Sequence, residues 1–316
     1  MKLSIVLPVY NEVENLEVLH HELAEELRQV QGGHEVIAVN DGSRDGSYEI
    51  LERIAAKDKH FRVVHLSKNY GQTAALSAGF DHARGEVIIP MDADLQNDPK
   101  DIPRFLAALE EGFDVVAGWR KNRQDKLLMR RFPSLLANKL ISRITGVRLH
   151  DYGCTMKAYR RDILQGVRFY GEMHRFMPVY VAWHGARIKE MVVNHRPRRA
   201  GVSKYGISRT FRVILDLLTV KFLMSYLAKP MHFFGWAGFI SFFLGVLSGV
   251  YALVLKFGGI DLDRTPLPLL TVFFVMTAVQ FILMGLLAEI LIRIYHEPRG
   301  RATYTVRSTT NYDDAA

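Results

Sequence analysis

Along its first third the chain alternates short apolar runs, rich in Val and Ile, with longer stretches of helical spacing. Residues 3–9, 35–40, 61–66, 87–91 and 114–118 predict strands. Between them, residues 14–30, 46–57, 72–83 and 100–110 predict helices; in the first, Leu16, Leu19, Leu23 and Leu27 form one stripe. Regular strand–helix alternation predicts an α/β domain, Rossmann-like, with a mostly parallel sheet and helices on both faces. Ligands of such a sheet bind beyond the carboxyl ends of its strands.

The pattern changes toward the C-terminus. Residues 233–255 run for 23 positions without Asp, Glu, Lys or Arg. As a helix that run measures about 35 Å, enough to cross a hydrocarbon core of roughly 30 Å. A second uncharged run, 267–287, continues apolar to 292 apart from Glu289, which lies one helical turn before Arg293. Two transmembrane helices are therefore expected. Residues 132–146 and 207–227 are amphipathic and basic, as expected of helices lying in the headgroup plane. Lys221 and Lys229 before the pair, and Arg293, Arg299, Arg301 and Arg307 after it, place both termini on the cytoplasmic side. The first apolar run is too short for a signal sequence. The expected organisation is a cytoplasmic domain over 1–206, a juxtamembrane helix over 207–230, two membrane helices over 231–292 and a polar tail over 293–316. The tail reads either as unstructured or as pairing with a neighbouring subunit.

Charge sharpens this division. The net charge of +8 and pI near 9.5 suggest an anionic partner, but the charge is unevenly spread. Residues 1–119 carry 11 basic and 21 acidic side chains, residues 120–230 carry 24 and 6, and residues 231–316 carry 6 and 6. The positive charge abuts the membrane segments and is not interleaved with stacking aromatics, which argues against nucleic acid. The single cysteine, Cys154, excludes an intramolecular disulfide and a Cys-based zinc site and reads as a small buried residue.

Candidate chemistry sits where the strands end. Pro8-Val9-Tyr10-Asn11-Glu12 follows the first strand, Asn40-Asp41-Gly42-Ser43 the second, and Asp92-Ala93-Asp94-Leu95-Gln96 the fourth. No G-x-G-x-x-G follows the first strand, which counts against a dinucleotide-dependent dehydrogenase. Two carboxylates one residue apart repel each other unless a cation or hydrogen-bond donors compensate. Mg²⁺ is commonly held by one or two carboxylates together with substrate phosphates.

These motifs, followed by Arg198-x-x-Gly201-x-Ser203-Lys204, resemble the family 2 glycosyltransferases of GT-A fold, and within them the polyprenyl-phosphate glycosyltransferases, such as bactoprenol glucosyltransferases and dolichyl-phosphate mannose synthase-like enzymes. The resemblance covers residues 1 to about 292. It implies that Pro8, Tyr10 and Glu12 frame the nucleotide and that Asp41 accepts a hydrogen bond from the base. It places Asp92 on ribose or sugar, Asp94 and Gln96 on Mg²⁺ or Mn²⁺, and Asp151 on sugar hydroxyls. Arg198, Ser203 and Lys204 would act on the leaving diphosphate. The Q-x-x-R-W motif of processive synthases is missing from the sequence. The basic middle third supplies candidates for an acceptor phosphate: Arg120, Arg130, Arg131 and Ser134.

The expected reaction is inverting transfer of a hexose, glucose first, from UDP-glucose to undecaprenyl phosphate at the cytoplasmic face. GDP-mannose and a UDP-aminoarabinose-type donor are the alternatives, and a membrane-anchored nucleotide-sugar sensor is the non-enzymatic one. A homo-oligomer is implied by the resemblance alone.

Overall fold

The computed structural model describes residues 2–121, 138, 141–143, 145–164, 175–197, 230–296 and 304–312. Five strands and four helices lie where the periodicity places them: β1 (Leu3–Val9), α1 (Leu16–Leu27), β2 (His34–Asn40), α2 (Ser47–Lys57), β3 (Phe61–Leu66), α3 (Gln72–His82), β4 (Val87–Pro90), α4 (Ile102–Glu110) and β5 (Val115–Trp119). The structure adds β6 (Lys157–Arg160), the short helix α5 (Met177–Trp183), β7 (Ile188–Val192) and β8 (Val306–Thr310). All eight strands join one sheet in the order β7-β5-β6-β4-β1-β2-β3-β8. The central pairings β4–β1, β1–β2 and β2–β3 are parallel, as is β5–β7; β6 runs antiparallel to β4 and β5, and β8 antiparallel to β3.

Alternation along β1 sends side chains into two separate cores. Leu3, Ile5, Leu7 and Val9 pack with the α1 stripe, with Leu51 and Ile54 of α2, and with Ile102 and Phe105 of α4. Val6 points to the other face, with Ile37, Val39 and Val64, against Ala75, Leu76 and Ala78 of α3 and Met177 and Val181 of α5. Helix α3 lies so close to β1 that a Cβ on Gly79 would fall 2.2 Å from Val6 Cγ1. Both sheet faces are covered, so the accessible edge is the one formed by the strand ends.

The C-terminal segment belongs to this domain by its contacts: residues Met1–Val220 and Ala302–Ala316 form one compact unit and Lys221–Arg301 another. Over 304–312 the tail is structured, and its strand β8 pairs with β3 of its own chain. Asn311 adopts a left-handed φ of 61° and donates from Nδ2 to the carbonyls of Ala55 (2.7 Å), Asp58 (3.1 Å) and Phe61 (2.8 Å). Tyr304 Oη donates to Asp81, and the Tyr312 ring lies under the Arg62 guanidinium, 5.1 Å from its centroid.

The second unit contains α6 (Pro230–Phe257) and α7 (Leu267–His296). Phe233–Phe257 and Leu267–Ala288 are long and apolar enough to cross a membrane. The two helices pack through small residues: a Cβ on Gly238 would meet the Ala278 carbonyl at 3.2 Å, and one on Gly245 would meet Val275 Cγ2 at 3.1 Å. Phe239, Phe243, Leu253, Phe273 and Leu283 point outward, as side chains in contact with lipid do.

Candidate active site

The adjacent ends of β4, β1 and β2 bring three motifs together. In the register, Pro8 lies beside Val39, Val9 beside Asn40, and Val6 beside Pro90. The ladder continues beyond the strands, with Asp41 N donating to Val9 O and Met91 N to Val6 O, both at 2.9 Å.

The loops after β1 and β2 interlock. Asn11 holds a φ of 55°; its amide donates to Ser43 Oγ, while its Oδ1 accepts from Arg44 N. Glu12 N donates to Ser47 Oγ, Val13 N donates to Asp45 Oδ2, and Glu12 Oε2 accepts from Asn15 Nδ2. Asp41 is buried, and its two oxygens accept from the backbone amides of Tyr70 (2.7 Å) and Gly71 (2.8 Å). Burial pushes its carboxyl up, and those two amides pull it back. Gly42 has a φ of 68° and leaves no room for a side chain, since a Cβ would lie 2.7 Å from Asn69 N. Asp41 thus braces the loop before α3, a role not visible in the Asn-Asp-Gly-Ser motif, and each oxygen retains capacity for a further donor.

Asp92 and Asp94 occupy a turn in which Leu95 has a left-handed φ of 62°, a conformation that costs a bulky side chain energy and that clusters at functional sites. Asp94 is buried, and its Oδ1 accepts from Gln96 N at 3.2 Å. Asp92 accepts from Gln72 Nε2 on Oδ1 and from Thr155 Oγ on Oδ2, both at 2.8 Å. Burial first, and the neighbouring Asp94 second, push the Asp92 carboxyl up to about 6. Among the described residues no group of three His, Cys, Asp or Glu side chains gathers as a protein-only metal site. Paired carboxylates with an adjacent amide suit a hard cation completed by substrate oxygens, and Asp94 with Gln96 fits that mode.

Arg120 and Asp151, expected to meet an acceptor phosphate and a sugar respectively, are bonded to each other. Arg120 Nε donates to Asp151 Oδ2 at 2.7 Å and Nη2 to Oδ1 at 3.0 Å. Burial alone would lower the guanidinium's proton affinity, but Asp151 holds it above its ordinary value. Asp151 sits in a hydrogen-bonded loop: Gly153 N donates back to its Oδ1, and Lys157 Nζ donates to the carbonyls of Tyr152 and Cys154. Cys154 is fully buried, and burial pushes its thiol up to about 11.

Arg130, Arg131, Ser134, Arg198, Ser203 and Lys204 lie outside the described residues, as do the stretch 207–227 and most of 132–146. The chain entering 198 is described and runs beside the Asp94 turn: Arg196 N donates to Gln96 O, its guanidinium donates to Glu22 and Asp98 at 2.6 Å each, and Asn97 bridges to His195. Gln72, Thr155, Lys157 and Arg196 were not singled out by sequence; only the proximity of Arg196 to the Arg198 motif hinted at any of them.

Residues 4–168 match the family model described as Glycosyl transferase family 2, and residues 229–294 match the one described as GtrB C-terminal hairpin. A dodecaprenyl-phosphate galacturonate synthase of Rhizobium johnstonii is 45% identical over 322 residues, covering 99% of this chain and 94% of that protein. An undecaprenyl-phosphate 4-deoxy-4-formamido-L-arabinose transferase of Shewanella sediminis is 40% identical, covering 96% of this chain and 91% of that one. Among solved structures, glucosyl-3-phosphoglycerate synthase from Mycobacterium tuberculosis, in complex with Mn²⁺, UDP and phosphoglyceric acid, shares the fold with a TM-score of 0.55 at 19% identity, covering 70% of this chain and 78% of that one.

Proposed function

We infer the reaction from one premise: this chain belongs to glycosyl transferase family 2 and is a polyprenyl-phosphate glycosyltransferase. The donor is a UDP-linked sugar bound across the ends of β2, β1 and β4, and the acceptor is undecaprenyl phosphate or a related polyprenyl phosphate. The interlocked 10–13 and 43–47 loops, with Asp41, form the nucleotide end of the cleft. Asp92 meets donor hydroxyls. Asp94 and Gln96 would hold Mg²⁺ or Mn²⁺, which when bound neutralises diphosphate charge. Arg198, Ser203 and Lys204 follow a segment pinned to Gln96 and Asp98, which favours their acting on the same diphosphate.

A phosphate monoester is mostly dianionic at pH 7 and is already a nucleophile. The protein's part is to align it with the anomeric carbon and stabilise the departing charge. Direct displacement inverts that carbon, so a UDP-α-sugar gives a β-linked lipid phosphate sugar.

The sugar is where the first expectation shifts. Galacturonate and 4-deoxy-4-formamido-L-arabinose, named for the two relatives, share the D-galacto arrangement at C2, C3 and C4, with an axial substituent at C4. A donor of that class is favoured over UDP-glucose and over GDP-mannose. The membrane assignment is supported by two facts: two apolar helices interrupt the domain, and the chain beyond them returns to its sheet as β8. Two crossings leave both flanking segments on one side, and the basic flanks make that side the cytoplasm.

The strand-end Asp92–Asp94 turn, in a chain 45% identical to a polyprenyl-phosphate sugar synthase, carries this reading. Its test is the purified full chain with polyprenyl phosphate, Mn²⁺ and a labelled panel of UDP-galacturonate, UDP-4-deoxy-4-formamido-L-arabinose, UDP-glucose and GDP-mannose. Transfer from a galacto-configured donor is expected. Preference for UDP-glucose would overturn the sugar assignment, and no lipid product from any donor would overturn the reaction.

A further inference from the structure

A continuous set of hydrogen bonds crosses the strand ends. It starts at Asp41, which accepts from the amide of Gly71; the next residue, Gln72, opens α3 and donates to Asp92, and Asp92 accepts on its other oxygen from Thr155. The turn itself is tied by Asp92 N donating to Asn97 Oδ1 at 3.0 Å. Thr155 is fixed from both sides. Before it lies Asp151 on Arg120; after it lies Lys157, almost fully buried, whose ammonium gathers the Tyr152 and Cys154 carbonyls. Met156 and Cys154, its immediate neighbours, are fully buried, while Thr155 itself keeps an accessible edge beside Asp92.

We propose that Thr155 is a positioning residue for sugar transfer: its hydroxyl, opposed by the Gln72 amide, fixes the plane of the Asp92 carboxylate against the donor. The inference rests on the reading above, in which the nucleotide sugar lies across these strand ends. A carboxylate on a single strand-end residue rotates about its Cβ–Cγ bond. Donors of 2.8 Å on each oxygen, delivered from α3 and from the loop before β6, remove that freedom. A hydroxyl has one proton, and Thr155 gives it to Asp92, so toward a ligand both groups can only accept. The Thr155–Asp92 edge of the site therefore suits a hydroxyl donor on sugar or ribose. Losing the Thr155 bond leaves the donor bound through its nucleotide but misaligned at the reacting carbon, where small displacements are costly.

The experiment compares Thr155→Val and Thr155→Ser in the full-length enzyme. Thr155→Val is expected to lower kcat by about 10- to 100-fold while the donor KM stays within about twofold. Thr155→Ser, which keeps the hydroxyl, is expected to restore most of the rate. Unchanged kcat in Thr155→Val, or equal loss in both variants, overturns the proposal. Melting temperatures of Thr155→Val made in the wild-type and in the Asp92→Asn background give a second readout. Different shifts in the two backgrounds are expected, and equal shifts overturn the coupling. If the wild-type chain transfers no sugar, the proposed reaction has failed, and this thermal cycle decides the Thr155–Asp92 coupling by itself.

Discussion

Arg120 and Asp151 form a two-pronged ion pair, Nε to Oδ2 at 2.7 Å and Nη2 to Oδ1 at 3.0 Å, with side chains 13% and 5% exposed. Removing one partner of such a pair strands a charge away from water, at a cost of about 3–5 kcal/mol. Asp151→Ala and Arg120→Ala are each expected to lower the melting temperature markedly. The double variant, which strands no charge, is expected to be more stable than the sum of the two losses predicts. Thermal unfolding of the four proteins in one detergent measures it, and strict additivity would show that the two side chains act independently.

Asp94 is expected to be needed for transfer and not for folding. Asp94→Ala should abolish product while its melting temperature without ligand stays near that of the wild type. Chelation of divalent ions should abolish wild-type transfer, and added Mn²⁺ or Mg²⁺ should restore it. A variant that retains full activity would remove Asp94 from the metal assignment.

The parts of this site that can be read from sequence are those in which local order carries the signal. Asp92 and Asp94 directly follow an apolar strand, and in a parallel sheet that position alone aims them at the ligand edge. The Arg120–Asp151 pair spans 31 positions, and nothing in the local order around either residue points to the other. Thr155 and Gln72 carry no charge or motif, and their role exists only once α3 and the loop before β6 converge on Asp92. The missed strands have a shared cause. In β6, Lys157-Ala-Tyr-Arg160 is four residues with a charge at each end; β7 and β8 are sheet edges, where Lys189, Glu190, Arg307 and Ser308 interrupt the apolar pattern that reveals central strands.

Cys154 supplies a pH-dependent expectation. Its thiol ionises near 9.0 when exposed and is pushed up to about 11 by burial. The folded state therefore prefers the neutral thiol. That contribution to stability is fully present below pH 9 and is lost as pH rises toward 11. At pH 8 the native protein should react negligibly with a thiol-specific reagent and the denatured protein rapidly. Rapid native labelling at pH 8 would contradict the buried assignment. Cys154→Ala should retain transfer, since no step assigned above uses the sulfur.

The tail gives the last prediction. Asn311 is the only described residue whose side-chain amide meets the carbonyls of Ala55, Asp58 and Phe61 together, at the point where α2 ends and β3 begins. Asn311→Ala leaves those carbonyls without that donor and takes away a residue type that tolerates the left-handed φ of 61°. A loss of about 1–3 kcal/mol is expected from the unsatisfied groups. Ending the chain after residue 303 goes further, because it exposes the β3 edge that β8 covers, and an uncovered parallel-sheet edge invites pairing with other chains. The truncated protein should therefore show both a lower melting temperature and concentration-dependent aggregation in size-exclusion chromatography, with Asn311→Ala showing the first effect and little of the second. A truncated chain that unfolds and elutes like the wild type would mean that β8 contributes nothing to the domain it joins.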